Sequence, residues 1–490
     1  MITVLSKRND KMKTKELSPE KLASLAAKRQ KEIAKWEKEK AKPKGRFYLP
    51  YLIFIISLIY LTDEVASQIG PLMKTEIAND LLKNFGESSV GILDFLSMIA
   101  IPFQLLAIFY KPLSDKFGRK KFLFINTFGM GAAMFLIFVS GNIPLYVIGT
   151  CIMQFFVPHD MQVVYIMESV PNKHRARIYF TIKSFATMGI MLVPLLRKAL
   201  MNDMSEWRIV FLVPAIIGLV SSFVALFFAR ETDAFIDSRL KYLRMTDEER
   251  EAEKEQKNVQ NSQGGIIPAL KFVAKHKQLR WLYVVAALTN LGYLITMQYQ
   301  VIISYGYASG YGEVTDAILN TVSLNEVTDA LFFFPIGSAF VQLFVGIFGD
   351  WLGRKKTAII MSVSTVVTFL GFTLGAKAGF PTWAVGILSG ACIGSFWGAG
   401  DINALMVSES SPTNLRSSIL STLYFAMGAG IAFSYVVGIP LITFLGNSVI
   451  GTICFFFAVP GYIAALTVLM LRTHETKGID LNTVTGCEWD

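Results

Sequence analysis

Along the 490-residue chain, apolar positions gather in long, nearly unbroken runs, not in the alternation of a half-buried strand or the three-and-four spacing of a surface helix. A helix needs roughly 20 apolar residues to cross about 30 Å of hydrocarbon. Such runs fall near 48–70, 89–110, 122–140, 144–167, 178–200, 208–228, 281–305, 328–349, 357–378, 382–408, 416–440 and 446–471. The pattern predicts an all-α membrane protein with twelve transmembrane helices in two six-helix halves. The expected division is a tail at 1–46, a half at 47–228, a linker at 229–280, a half at 281–472 and a tail at 473–490. The linker interleaves eleven Lys or Arg with nine Asp or Glu. It has too little apolar content to bury a core, so short amphipathic helices are expected there.

Composition agrees: 53% of residues are hydrophobic and 17% charged, less charge than the surface of a soluble chain this long requires. The net charge of +10 has a local source, because residues 1–46 hold fifteen Lys or Arg against six Asp or Glu. Ser18 as N-cap, Pro19 in the first turn and a stop at Lys42-Pro43-Lys44-Gly45 predict a helix in this tail. Two readings stand for it, a solvated helix that sets topology or a helix lying on anionic lipid. No short apolar segment with a cleavage site precedes it, so no removable signal is expected. Lys111, Lys116, Arg119, Lys120 and Lys121 follow the second run and Arg354, Lys355 and Lys356 the eighth, whereas 306–329 has four acids and no base. By the positive-inside rule both termini are expected in the cytoplasm and the protein in the cell membrane. Cys151, Cys392, Cys454 and Cys487 suggest neither a disulfide framework nor a metal site.

The chain repeats itself. GTCIMQFFVPHDMQVVYIMESVPNKHR at 149–175 and GACIGSFWGAGDINALMVSESSPTNLR at 390–416 share nine identities in 27 positions, among them Asp160/Asp401, Glu168/Glu409 and Arg175/Arg416, with Gln162 over Asn403. KPLSDKFGRKK at 111–121 likewise faces GIFGDWLGRKK at 346–356, matching Asp115/Asp350, Gly118/Gly353 and Arg119/Arg354. Two copies of one six-helix unit point to a transporter with its site between them near the midplane.

The loop pattern G-x-x-x-D-x-x-G-R-[RK]-[RK] in both halves resembles the signature of the major facilitator superfamily. The segments from Glu168 to Arg175 and Glu409 to Arg416, Trp207-Arg208, and Glu475-Thr476-Lys477-Gly478 are similar to its sugar porter and organic-ion branches. The resemblance implies alternating access, in which the halves rock about a central cavity. The sequence departs from those branches where Lys111 replaces a glycine and where LTNLGYLITMQYQV lacks paired glutamines.

Gly118 and Gly353 are expected to supply tight turns at positive φ. Asp115 and Asp350 can accept helix-end N–H groups or pair with arginine. Contacts between the halves through Arg119, Arg354, Glu168, Arg175, Glu409 and Arg416 would then shut the cytoplasmic face. Asp160 and Asp401 each lie eight residues inside the glutamate that marks that boundary. This is about 12 Å deep, where a lipid-facing acid costs at least about 2.5 kcal/mol. Both acids are therefore expected to face protein or water. Lys183, at matching depth, is a partner for Asp160, and the position equivalent to Lys183 in the second half is Tyr424. Asp401 is either paired differently, protonated, or held for a proton or cation. Asp63 and Glu64 in the first span are further acids, and Asp63 sits about where sugar porters place a proton-coupling aspartate. Thr289, Tyr293, Thr296 and Gln300 form a polar stripe suited to a substrate wall or to helix–helix hydrogen bonding.

These residues predict a secondary active transporter for a small polar or charged organic solute, driven by protons, working as a monomer in the bilayer. A proton-coupled exporter of organic cations and a non-transporting sensor are the alternatives. No phosphate-binding glycine loop, Cys/His cluster or activated nucleophile appears in the sequence, so no enzyme, cofactor or metal is expected. The basic excess lies in a membrane-proximal tail, so nucleic acid is not an expected partner.

Overall fold

The computed structural model describes residues 19–43, 45–110, 113–157, 165, 168–169, 175–246, 248–250, 252, 266–412 and 415–478. Among them there is no strand. The tail forms α1 (Pro19–Ala41). The first half follows as α2 (Tyr48–Leu72), α3 (Lys74–Leu81), α4 (Ser89–Met98), α5 (Ile101–Tyr110), α6 (Leu113–Phe117), α7 (Arg119–Phe138), α8 (Ile143–Phe156), α9 (Arg175–Met188), α10 (Leu192–Leu200) and α11 (Arg208–Phe228). The linker contributes α12 (Asp233–Arg244) and α13 (Ile266–Lys275). The second half is α14 (Lys277–Thr289), α15 (Leu294–Ser309), α16 (Asp316–Leu324), α17 (Glu326–Trp351), α18 (Arg354–Lys377), α19 (Thr382–Glu409), α20 (Arg416–Leu445) and α21 (Ile450–Arg472).

Among the described residues, ten helical stretches are long and apolar enough to cross a bilayer. The fourth and fifth expected spans are not among them. The fourth is described as an unbroken α-helix to Phe156, with only scattered residues such as Tyr165 described beyond Val157, and the fifth is α9 and α10 joined by a 3-10 turn at Gly189–Met191, with Lys183 and Arg197 along it. The seventh is broken as well, where a 3-10 turn at Asn290–Tyr293 separates α14 from α15. Its Gly292 lies against the Tyr462 ring, where a Cβ would collide. Interruptions of this kind persist in a membrane only where protein or water satisfies the freed backbone groups. Gly386 and Gly390 let α19 approach α17 so closely that a Cβ on either would land on the Ala330 or Phe334 carbonyl. The loop expected at 306–329 holds the short helix α16.

We call the side bearing α1 and the glycine loops the tail face, and its opposite the far face. Toward the far face one apolar core runs through both halves, from Val65, Ile69, Met134 and Trp207 to Tyr299, Phe334 and Tyr462. Toward the tail face the core divides. Leu52, Ile55, Leu123, Tyr165 and Ala225 form a cluster within the first half. Leu282, Met361, Met406, Ile419 and Leu469 form another within the second.

Candidate functional site

The tail face holds two copies of one arrangement. Gly118 and Gly353 precede α7 and α18 with φ of +110° and +98°, in the region expected for them. A side chain there would be strained by the backbone and would also land on the carboxylate of Glu231 or Glu475. Those carboxylates cap the two helices. Glu231 accepts from the N–H groups of Arg119 at 2.9 Å and Lys120 at 3.1 Å. Glu475 accepts from Arg354 at 2.7 Å and Lys355 at 3.1 Å. An acid at a helix N-terminus satisfies orphan donors and complements the helix dipole. Burial pushes the Glu231 carboxyl above its ordinary range, against the pull of the N–H groups of Lys120, Thr232 and Arg119.

Beside each cap lies an ion pair. Arg119 Nε donates to Glu168 at 3.0 Å and Arg354 Nε to Glu409 at 3.1 Å. The Thr232 and Thr476 hydroxyls each donate to the same glutamate at 2.6 Å. Arg416 donates to the backbone carbonyls of Ser408 at 3.0 Å and Ser411 at 3.1 Å, closing the end of α19. Asp350 pairs with Arg354 at 2.8 Å, one turn away. These contacts lie within one half, not between the halves as the loop pattern suggests. They brace each bundle, and the reason is geometric: each arginine opens the helix whose neighbour in the same half carries the glutamate. The side chains of Asp115 and Arg175, and Asp160 and Gln162 altogether, lie outside the described residues.

Sequence reading missed Glu231 and Thr232. The signal was present, since Arg230-Glu231-Thr232 and His474-Glu475-Thr476 are short copies of each other. They sit at a spacing different from the other repeats, and two identities do not rise above chance by themselves.

Deeper in the fold, Asp401 is exposed on α19 between buried neighbours Ala399, Ile402 and Asn403. Asp63 is buried on α2, and Glu64 beside it and Lys183 on α9 are half-buried. Tyr424 is 72% exposed on α20, as open as a lipid- or water-facing ring. Asn403, a cavity residue by expectation, donates instead to the Leu282 carbonyl at 3.1 Å and ties α19 to α14. Thr289 is buried, and Thr296 bonds the Tyr293 carbonyl at 2.7 Å. The Tyr293 ring meets Phe396, Trp397 and Tyr435 edge-on at 6.0–6.2 Å, an aromatic cluster at the break in the seventh span.

Gln300 does not share that stripe's surroundings. Together with Gln298 it lies in a buried polar seal at the far face. Lys74 pairs with Asp94 at 2.6 Å, and Asp94 also accepts from Gln298. Arg197 pairs with Glu76, which accepts further from Gln300 at 2.8 Å and from the Ser323 hydroxyl at 2.9 Å. Ser88 donates to the Thr443 carbonyl at 2.7 Å, and Lys198 pairs with Asp329 at 2.8 Å. Among the described residues, the hydrogen bonds traced between the halves gather here.

Comparison with known proteins matches this architecture. The profile of the Major Facilitator Superfamily fits residues 52–319, and that of the Sugar (and other) transporter family fits residues 305–477. Solute carrier family 2, facilitated glucose transporter member 4 of Sus scrofa is 28% identical over 112 residues, 23% of this chain. That stretch covers 61% of the relative's length. The inward open conformation of the xylose transporter XylE from E. coli superposes with a TM-score of 0.59 at 17% identity, over 89% of this chain and 98% of that one. A bacterial homolog of the human lysosomal transporter Spinster, inward-facing and unoccupied, gives 0.53 at 12% identity over 88% and 96%. The matched proteins are transporters, not enzymes. A repeated glycine-turn and glutamate-cap node, two helical halves and a profile fitting more than half of the sequence lead to one assignment: this multi-pass membrane protein belongs to the major facilitator superfamily.

Proposed function

We propose that the chain carries a small polar or charged organic solute by alternating access, coupled to protons, with the tail face in the cytoplasm and the working unit a monomer. The observation that supports it best is the asymmetry of the core, continuous between the halves at the far face and divided at the tail face. A transporter open to the cytoplasm and shut outside has this form, and the basic loops orient the tail face inward. The names of the matched proteins, a xylose transporter and a facilitated glucose transporter, make sugars the first solutes to test.

Asp401 is the residue we assign to coupling. An exposed carboxylate about 12 Å inside the boundary faces water on its route from the tail face, because lipid would penalise it by at least about 2.5 kcal/mol. Lys183 reaches a similar depth from the first half, Asp63 and Glu64 sit deeper along α2 (Tyr48–Leu72), and Thr289, Tyr293 and Thr296 offer hydroxyls from the seventh span. Asp160 and Gln162 join them as expected cavity residues by the repeat. The tail-face residues Asp115, Gly118, Arg119, Asp350, Gly353, Arg354, Glu168, Arg175, Glu409 and Arg416 are assigned to holding each half rigid as it rocks.

Purified protein in liposomes should take up at least one solute from a panel of sugars, carboxylates, amines and zwitterions, and an inward proton gradient should drive accumulation. Asp401→Asn should lose gradient-driven accumulation about tenfold or more while still exchanging solute already on both sides. Unchanged accumulation removes Asp401 from coupling. Substrate leaving against the gradient identifies an exporter, and binding without flux a sensor.

A further inference from the structure

The far-face seal contains two buried ion pairs, and each is built inside the first half. Lys74 and Asp94 come from α3 and α4, Glu76 and Arg197 from α3 and α10. What the second half adds to these buried pairs is neutral, and the one ion pair traced between the halves here, Lys198 with Asp329, is exposed. From α15, the Gln298 amide donates to Asp94 and the Gln300 amide to Glu76. Gln300 also accepts, through its side-chain oxygen, from the Thr75 N–H at 2.9 Å. That N–H lies in the first turn of α3, where the helix supplies no acceptor. The Ser323 hydroxyl donates to Glu76 and accepts from Arg197 at 2.9 Å. Glu76, Gln298, Gln300 and Ser323 are all 0% exposed.

This division of labour decides what moves. Had the charges been split between halves, opening the far face would tear two ions from their partners, a cost of several kcal/mol for each ion left buried and alone. Here each buried carboxylate keeps its own cation, and what changes hands with water is the pair's hydrogen bonds to neutral amide, hydroxyl and carbonyl groups, beside the exposed Lys198–Asp329 pair. We propose that Gln298 and Gln300 are the far-face latch, reading the pre-paired Asp94 and Glu76 carboxylates of the other half. The seal is therefore releasable without stranding charge. The proposal rests on the alternating-access reading above.

Gln298→Glu gives a signature that a merely structural role does not. The introduced carboxyl would meet Asp94, and two carboxylates with one Lys74 between them cannot both be ionised in a buried site. Closure must then take up a proton. Tyr146, Tyr435 and Cys454 also interact with Asp94 and are neutral near pH 7. The far face should stand open at high pH and shut as pH falls, whereas the unaltered protein should show no such dependence at this pair. Gln300→Leu removes the donor to Glu76 and the cap on Thr75, and Ser323→Ala is a milder change at the same carboxylate.

The test is a distance measurement between spin labels at Asn202 and Asn320, which line one far-face cleft from opposite halves, on the full chain in lipid nanodiscs. The unaltered protein should show mainly the short distance. Gln300→Leu should raise the long-distance fraction at least about tenfold, as the loss of one hydrogen bond to a charged group predicts. Ser323→Ala should raise it less, and Gln298→Glu should raise it reversibly with pH. An unchanged, pH-independent distribution in Gln298→Glu and Ser323→Ala overturns the latch, even if Gln300→Leu fails to fold. Flux of the unaltered protein in liposomes reports separately, because its absence overturns the transport reading and leaves the distances interpretable.

Discussion

Gly353 is the simplest residue on which to test the tail-face nodes. Its φ of +98° is costly for any side chain, and the space beside it is occupied by the Glu475 carboxylate. Gly353→Ala should cost at least about 1 kcal/mol from backbone strain. A lower thermal midpoint of the purified protein would show it, and Gly118→Ala should behave alike; an unchanged midpoint in both would contradict the account. These glycines were legible from sequence because the turn demands a backbone that glycine alone adopts freely. Glu231, the cap behind Gly118, was not, because it lies 112 residues from Arg119 and no local pattern points to so distant a partner.

Glu231 adds a pH signature. Because burial raises its carboxyl above the ordinary value of 4.5, folding favours the protonated form. Its titration therefore contributes most stability below pH 4.5, a contribution lost as pH rises through the raised value. Glu231→Gln should flatten that slope and keep one acceptor for the α7 N–H groups. Glu231→Ala should leave the Arg119 and Lys120 N–H groups without it, costing about 1–3 kcal/mol. Melting curves of the two variants across pH 4 to about 7 separate these outcomes, and equal losses at every pH would refute the assignment.

At the scale of elements, α1 shows how far local punctuation carries. The stop near Lys42-Pro43 places its C-terminal end well, since capping is local, while Ser18, the expected N-cap, lies outside the described residues. Its surroundings were not legible. Its other face aside, α1 docks on the linker helix α12. Trp36 meets Phe235 edge-on at 5.5 Å, Glu32 pairs with Arg239 at 2.8 Å, Glu37 with Arg244 at 2.6 Å, and Lys40 with Asp237. Arg230 closes the join by donating to the Lys42 and Pro43 carbonyls at 3.0 Å. Mixed charge on both helices reads equally well as solvated surface, which is why the partner stayed hidden. Exposed ion pairs contribute only about 0–1 kcal/mol each, so the aromatic contact should matter more. Trp36→Ala should speed amide exchange in both α1 and α12, whereas Arg239→Ala should do so weakly and only at low salt. Equal exchange in all three proteins would show that the helices do not support one another.

For the whole molecule, the hydrophobic runs and the internal repeat foretold the helical halves, because lipid enforces both the length of a span and its apolar surface. Which face is shut was not legible. That depends on Gln298, Gln300 and Ser323 meeting residues more than two hundred positions or a whole half away, and the repeat treats both faces alike. The deep acids were singled out by the repeat and by depth; the seal at the far face was missed because Lys74, Glu76 and Asp94 sit where a span ends and charge is ordinary.

Alternation between the faces is tested most directly by labelling both at once. Spin labels at Phe117 and Trp351 report the tail face, where both residues are exposed at helix ends of opposite halves, and Asn202 with Asn320 reports the far face. The account predicts that solute lengthens one distance as it shortens the other, each face sampling two separations. Single, fixed separations on both faces under every solute tested would contradict it.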